Sequence, residues 1–219
     1  MIYSTQPKAS GQRAWVRLPS GNHLDLVNPD PYAWTDEDLA SRLARTYRWS
    51  GESQWPLPMS VAQHALMVLA LYRQQTGGVT NLMAERRELH HDSDEGLFGF
   101  DCVSPLKPIL GDPFKALCAR LQEAVFRRYD VSPWTAKEYQ QHKYNDRIAA
   151  AGEAVHVVGW SRREAKETLG MDLPPLETDP LAQVYDCRPW EPWSASVAAE
   201  RFLAEMRRLM PSKDKTASA

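Results

Sequence analysis

Along most of this chain apolar residues recur at intervals of three and four, the period of an amphipathic helix. The exception lies near the start. Ala14-Trp15-Val16-Arg17-Leu18 and His23-Leu24-Asp25-Leu26-Val27 alternate apolar and polar positions around the turn residues Pro19-Ser20-Gly21-Asn22, which predicts a β-hairpin. Residues 1–13 are polar and expected to be loose. Thr35 then stands as an N-cap, with Glu37 and Asp38 in the first turn of a helix that runs to about Tyr47 and keeps Leu39, Leu43 and Ala44 on one face. Residues 48–58 form a loop rich in Trp and Pro. Ser60 caps a second helix, Val61 to about Gln75, with an apolar stripe of Val61, Ala65, Val68, Leu69 and Tyr72 and with His64 on the edge of that stripe.

Thr76-Gly77-Gly78 stops that helix. The next starts at Thr80 or Asn81 and is expected to carry the run His90-His91-Asp92-Ser93-Asp94-Glu95 before breaking at Gly96. Residues 96–111 are punctuated by Gly and Pro and predict short turns at most. Asp112-Pro113 reads as an N-cap followed by proline at the first helical position, and Phe114, Leu117, Leu121, Ala124, Val125 and Tyr129 follow helical spacing. A long helical stretch is predicted over about 135–158, a short one over Arg162–Leu169, and a last amphipathic helix from Val197 to Met210 capped by Ser194. Residues 171–193 are Pro-rich with no assigned element, and 211–219 read as a polar tail. The fold class is mainly α with one small hairpin.

Composition narrows the class. Of 219 residues, 43% are hydrophobic and 25% charged, the balance of a soluble globular protein. A net charge of −2 gives no electrostatic case for a nucleic-acid duplex or an anionic membrane as partner. No run approaches the length of a membrane span, and the N-terminus lacks an apolar signal core. Cys102, Cys118 and Cys187 are odd in number and lack zinc-knuckle spacing, so reduced thiols and a cytoplasmic location are expected.

The chemistry concentrates at His90–Glu95. Successive helical side chains diverge by about 100°, so a His-Asp pair alone chelates poorly, but it can give two ligands to a site completed by other helices. His64 and Asp146 are the candidates to complete it. Two imidazoles and two carboxylates suit one divalent ion such as Mn²⁺, Fe²⁺, Co²⁺, Ni²⁺ or Zn²⁺. Each residue also has an ordinary reading: His64 as a hydrogen-bonded core histidine, the His90–Asp92 cluster as a solvated helix end, and Asp146 in Tyr144-Asn145-Asp146-Arg147 as a surface polar group.

The order Ser60-Val61-Ala62-Gln63-His64, then His91-Asp92-Ser93-Asp94-Glu95, then Gly99-Phe100-Asp101-Cys102-Val103-Ser104-Pro105-Leu106-Lys107, then Asn145-Asp146, resembles the HD-domain metal-dependent phosphohydrolases. Within them it is most similar to the bacterial 5′-deoxynucleotidase branch and its phage- and plasmid-borne relatives. The resemblance covers about residues 35–160. It implies an HD-domain helical core over 35–170, an N-terminal extension over 1–34 with the hairpin, and a Pro/Trp-rich segment with the C-terminal helix over 171–219. It implies that His64, His91, Asp92 and Asp146 hold one divalent metal (Mg²⁺ joins the ions above) and that Glu95 orients or deprotonates the attacking water. At a helix C-terminal turn, an idle Glu95 would be unfavourable against the helix dipole.

Arg48-Trp49 resembles the family's Arg-Trp pair, which implies that Arg48 holds the phosphate and Trp49 packs on the sugar. Asp101 would meet the sugar hydroxyls and Lys107 the phosphate. Two departures fall in this pocket: one residue more between Gly99 and Asp101, and several inserted between Trp49 and Ser60. Asp94 and His90 are assigned to the second shell or the solvent, and Glu153 to structure.

The function expected on this resemblance is release of phosphate from a (deoxy)nucleoside 5′-monophosphate by metal-activated water. A dNTP triphosphohydrolase or small-nucleotide phosphodiesterase would use the same groups. A non-catalytic nucleotide-binding regulator is the alternative of another class, and the intact set with Glu95 argues against it. Members of the family often dimerise, so a second copy of the chain joins the nucleotide as a candidate partner.

Overall fold

The computed structural model describes residues 14–210, so the expectations for 1–13 and 211–219 lie outside the described residues. The architecture is mainly helical with one two-stranded antiparallel hairpin, as the hydrophobic period predicts. Strands β1 (Trp15–Arg17) and β2 (His23–Asp25) pair with Val16 opposite Leu24. Leu18 and Leu24 reach the core. The hairpin turn is fastened to helix α1 (Asp36–Arg45) by one carboxylate: Asp38 accepts bonds from the Ser20 N–H and the Ser20 hydroxyl, both at 2.7 Å, while it also closes a capping box with Thr35.

Helix α2 (Val61–Gln75) is the axis of the molecule. The expected stripe is too narrow: every residue from Val61 to Leu71 is buried, His64 and Gln63 included. A helix apolar on nearly all sides is one surrounded on all sides. Its neighbours are α1, α3 (Leu82–Leu89), α6 (Ala136–Glu153), α8 (Pro180–Tyr185) and α9 (Ala195–Leu209). Helix α9 also packs along α1, which closes the bundle.

The histidine run corrects the sequence reading. No single helix reaches Gly96. Helix α3 ends at Leu89, a second helix α4 (Ser93–Phe98) starts after Asp92, and His90, His91 and Asp92 lie in the break. Gln122, on helix α5 (Lys107–Arg128), satisfies the backbone groups this break frees. Its amide donates to the His90 carbonyl at 2.6 Å and accepts the Asp94 N–H at 3.2 Å. Glu95 therefore sits in the first turn of α4, not in a last turn. Gly96 sits against α1 so closely that a Cβ there would be 2.6 Å from Leu43 Cγ.

Helix α5 starts earlier than Asp112, at Lys107, but it kinks at Gly111, whose φ of 72° is left-handed. Asp112 and Pro113 thus open the straight part of the helix. Helix α6 is capped by Thr135 and continues into a π-helical turn, Ala154–Val158. Helix α7 (Arg162–Leu169) follows between two left-handed glycines, Gly159 and Gly170. The 171–193 stretch, given no element from its pattern, contains α8 and docks on the core. Trp190 and Trp193 are buried; a Cβ on Gly152 would be 2.7 Å from the Trp190 ring, and Gln63 bonds the backbone of Glu191 and Trp193. No described helix is long and apolar enough to cross a membrane.

Candidate active site

Four side chains from three places in the chain converge. His64 comes from the first turn of α2, His91 and Asp92 from the α3–α4 break, and Asp146 from the middle of α6. One ligand atom from each lies within 4.8 Å of all the others. The break makes this convergence possible: freed from helical geometry, the adjacent His91 Nε2 and Asp92 Oδ2 come within 3.1 Å. His64 Nε2 lies 3.3 Å from His91 Nε2, 3.3 Å from Asp146 Oδ1 and 3.7 Å from Asp92 Oδ2.

The chemistry of the four donors fits a cation. His64 Nδ1 lies 2.6 Å from Glu153 Oε1, and His91 Nδ1 lies 2.7 Å from the Glu88 carbonyl. Both Nδ1 atoms face acceptors and so carry protons, which leaves two Nε2 lone pairs facing each other beside two carboxylate oxygens. Four acceptors turned toward one point repel unless positive charge sits among them. The same field acts on the imidazoles. Burial and Arg48 oppose protonation of His64, but Glu153 and Asp146 outweigh them and push it up to about 9. Burial opposes protonation of His91 as well, yet Asp92 raises it. Asp92 and Asp146 are held well below the usual carboxylate range against burial, chiefly by His91 and by His64 respectively.

A cavity of about 870 Å³ opens over this cluster, and Arg48, Trp49, Asp92, Glu95, Asp101, Lys107 and Asp146 all line it. Every predicted site residue except the two buried histidines thus faces one space. Glu95 is buried; its Oε1 is 3.2 Å from Lys107 Nζ, and its Oε2 has no hydrogen-bond partner. Burial, with Asp92 and Asp101 nearby, raises its carboxyl well above the usual range. Asp101 lies 3.8 Å from an Arg48 guanidinium nitrogen, so it faces Arg48 as well as the cavity. Arg48 is also 3.9 Å from Asp92.

His90, by contrast, leaves the site altogether. It is buried, stacked on Tyr129 at 4.3 Å and bonded to Ser93 Oγ at 3.0 Å. Asp94 shares a small second cavity with Cys102 and Cys118, next to Glu95.

The residue that sequence reasoning undervalued is Glu153. It is fully buried, and it accepts three bonds: from His64 through one oxygen, and from Arg48 Nε at 2.7 Å and Trp49 Nε1 at 3.0 Å through the other. A signal was present. Glu153 is the lone charge in Ala149-Ala150-Ala151-Gly152-Glu153-Ala154-Val155 and stands seven residues after Asp146, two turns along the same helical face. Lys143, one turn before Asp146, bonds its second oxygen at 2.5 Å and also lines the cavity.

The backbone that carries Arg48 and Trp49 is strained and held. Trp49, Ser50 and Gly51 are all left-handed, with φ of 57°, 55° and 84°. Left-handed residues that bear a Cβ cost energy and persist only where surrounding contacts hold them. The contacts come from the loop that follows. The Gln54 N–H donates to the Val157 carbonyl at 2.8 Å, and the Trp55 indole donates to the His156 carbonyl at 2.9 Å. Gln54 and Trp55 therefore clasp the π-helical turn.

No family model matches the chain. It is 34% identical over 169 residues to an uncharacterized protein of Rhodobacter capsulatus, a match that spans 75% of this chain and 84% of that protein. The chain belongs to the same family as that protein.

Proposed function

We infer that this protein is an HD-type, metal-dependent phosphohydrolase that removes the 5′-phosphate of (deoxy)nucleoside monophosphates. The observation that carries the reading is the placement of the four-donor cluster on the floor of a cavity walled by Arg48, Lys107 and Glu95. The resemblance in residues 35–160 supplies the reaction class. A divalent ion held by His64, His91, Asp92 and Asp146 would supply Lewis acidity to the phosphoryl group and acidify water.

The chain's own groups account for the remaining steps. Arg48 and Lys107 bind the phosphate oxygens and neutralise charge as the transition state spreads it. The Glu95 carboxylate takes the proton of the attacking water as the water oxygen bonds phosphorus and the P–O5′ bond breaks, and the leaving O5′ picks up a proton from solvent. Nucleoside and inorganic phosphate are the products. Three free thiols fit a reducing compartment, so we place the protein in the cytoplasm.

A phosphate-release screen over nucleoside mono- and triphosphates with added Mn²⁺ or Co²⁺ tests the reading. Monophosphate cleavage that EDTA abolishes is the expected result. Intact monophosphates with cleaved triphosphates, or no turnover with any of these ions, would overturn it.

A further inference from the structure

The cavity has a second end that phosphate chemistry does not need. Beyond the charged floor its lining includes Val158, Trp160, Leu169, Met171 and Leu173. All five come from the stretch that runs from the end of the π-helical turn to the residues after α7. Local chemistry places them. The N–H groups of Gly159 and Trp160 both bond the Ala154 carbonyl, at 3.1 and 2.9 Å, which ends the π-turn and swings Trp160 back to the cavity. Ser161 then caps α7 with a capping box, and Gly170 ends it in a left-handed conformation while the Met171 N–H bonds the Ala165 carbonyl at 3.1 Å. From Leu169 to Leu173 the chain alternates half-buried and exposed positions, with Leu169, Met171 and Leu173 half-buried and Gly170 and Asp172 exposed.

We propose that Trp160, Met171 and their apolar neighbours form a nucleobase subsite, which binds the base by stacking and dispersion while the phosphate sits over the four-donor cluster. The occupant follows from the lining. An inorganic phosphate or a phosphosugar has no apolar surface for five apolar side chains to cover. A cavity of about 870 Å³ lies within the range of sites that enclose whole organic ligands. The charged groups that this stretch brings to the cavity, Glu164 and Asp172, are exposed carboxylates that disfavour a second phosphate beside them, although Arg147 of α6 also lines the cavity. A flat, uncharged, polarisable group matches an indole and a thioether. Stacking is tolerant of base identity, because every base has a π-face. The subsite therefore requires a base without selecting one.

This subsite rests on the proposed function for its orientation, and two measurements separate the two ideas. The first is equilibrium binding of nucleosides lacking phosphate, deoxyadenosine and deoxyuridine, to the full chain by calorimetry. Binding of both is expected, weakened about tenfold in Trp160→Ala, the lower part of what losing one base–aromatic stack costs, and restored in Trp160→Phe. Met171→Ala gives a second, milder loss at a half-buried position if Trp160→Ala fails to fold. The second measurement is the ratio of kcat/KM for deoxyadenosine 5′-monophosphate to that for deoxyribose 5-phosphate. A wild-type ratio of about ten or more, collapsing in Trp160→Ala through KM, supports the subsite.

Nucleotide turnover with an equal rate on deoxyribose 5-phosphate would overturn the subsite and leave the phosphohydrolase standing. Nucleoside binding that Trp160→Ala weakens, with no phosphate release from any substrate, would sink the phosphohydrolase and leave the subsite. Nucleoside binding that neither variant weakens would also overturn the subsite.

Discussion

His64 and Glu153 face each other across 2.6 Å with both side chains fully buried, one from the first turn of α2 and the other from the last residue of α6. The same carboxylate holds Arg48 and Trp49 through its other oxygen. One side chain thus fixes the tautomer of a metal-ligand candidate and the positions of Arg48 and Trp49. Burial opposes its charge, but Arg48 and His64 together hold its carboxyl down at about 2.

Glu153→Gln is expected to lower metal affinity about 10- to 100-fold, the usual cost of losing a histidine's supporting carboxylate. It is also expected to raise KM, because the Arg48 Nε–H and the Trp49 indole lose a charged acceptor. Metal titration followed by steady-state kinetics checks both. A purely structural glutamate would lower the melting temperature and leave metal affinity and KM unchanged in the folded fraction.

Glu95→Gln separates chemistry from metal binding. Glu95 touches no member of the four-donor cluster at hydrogen-bond distance, and one of its oxygens is buried without a partner. The amide keeps the shape and removes a charge that burial disfavours, so stability should not fall. Turnover should fall about 10²- to 10⁴-fold, the range of a lost general base. Metal content and phosphate release, measured on one preparation, test this together. Wild-type turnover in Glu95→Gln would remove the residue from the mechanism.

These two glutamates mark what the sequence could and could not reveal. The four candidate ligands were legible because their types and order match a known pattern, and the structure brings all four together. The helical class was legible because period dominates the chain. The break at His90–Asp92 was not, since no Gly or Pro announces it and its stabilising partner, Gln122, lies 32 residues from His90. Glu153 was underread because its three partners lie 89 to 105 residues away, beyond any local pattern. The narrow stripe assigned to α2 failed for a related reason. Burial on all sides depends on α6, α8 and α9, which a single-helix periodicity does not see.

Asp38 should make the hairpin anchor acid-sensitive. Burial works against its charge, but bonds from Thr35 and Ser20 outweigh burial and hold its carboxyl below the ordinary value. A lowered folded-state pKa stabilises the protein above the unfolded value of about 3.9, and that share is lost as pH falls through the folded one. Asp38→Ala is expected to cost about 1–3 kcal/mol at neutral pH, since two Ser20 donors and the Thr35 N–H lose their acceptor. Urea denaturation of wild type and variant at pH 7 and pH 3 checks it. The gap between them should narrow at pH 3; a constant gap would show that the carboxylate charge is not what anchors the turn.

Metal removal should be visible in stability before it is visible in any assay of turnover. With both Nδ1 atoms donating, the two Nε2 atoms at 3.3 Å and the flanking carboxylate oxygens form a set of acceptors that repel one another until a cation joins them. A divalent ion that binds this native arrangement and not the unfolded chain stabilises it by about 2.7 kcal/mol at a hundredfold excess over Kd. For a chain of this size that corresponds to a rise in melting temperature of roughly 5–10 °C. Thermal melts after EDTA treatment and after readdition of Mn²⁺ or Co²⁺ measure it. His64→Ala and Asp146→Ala should each abolish the shift, and an equal shift in both variants would place the ion elsewhere.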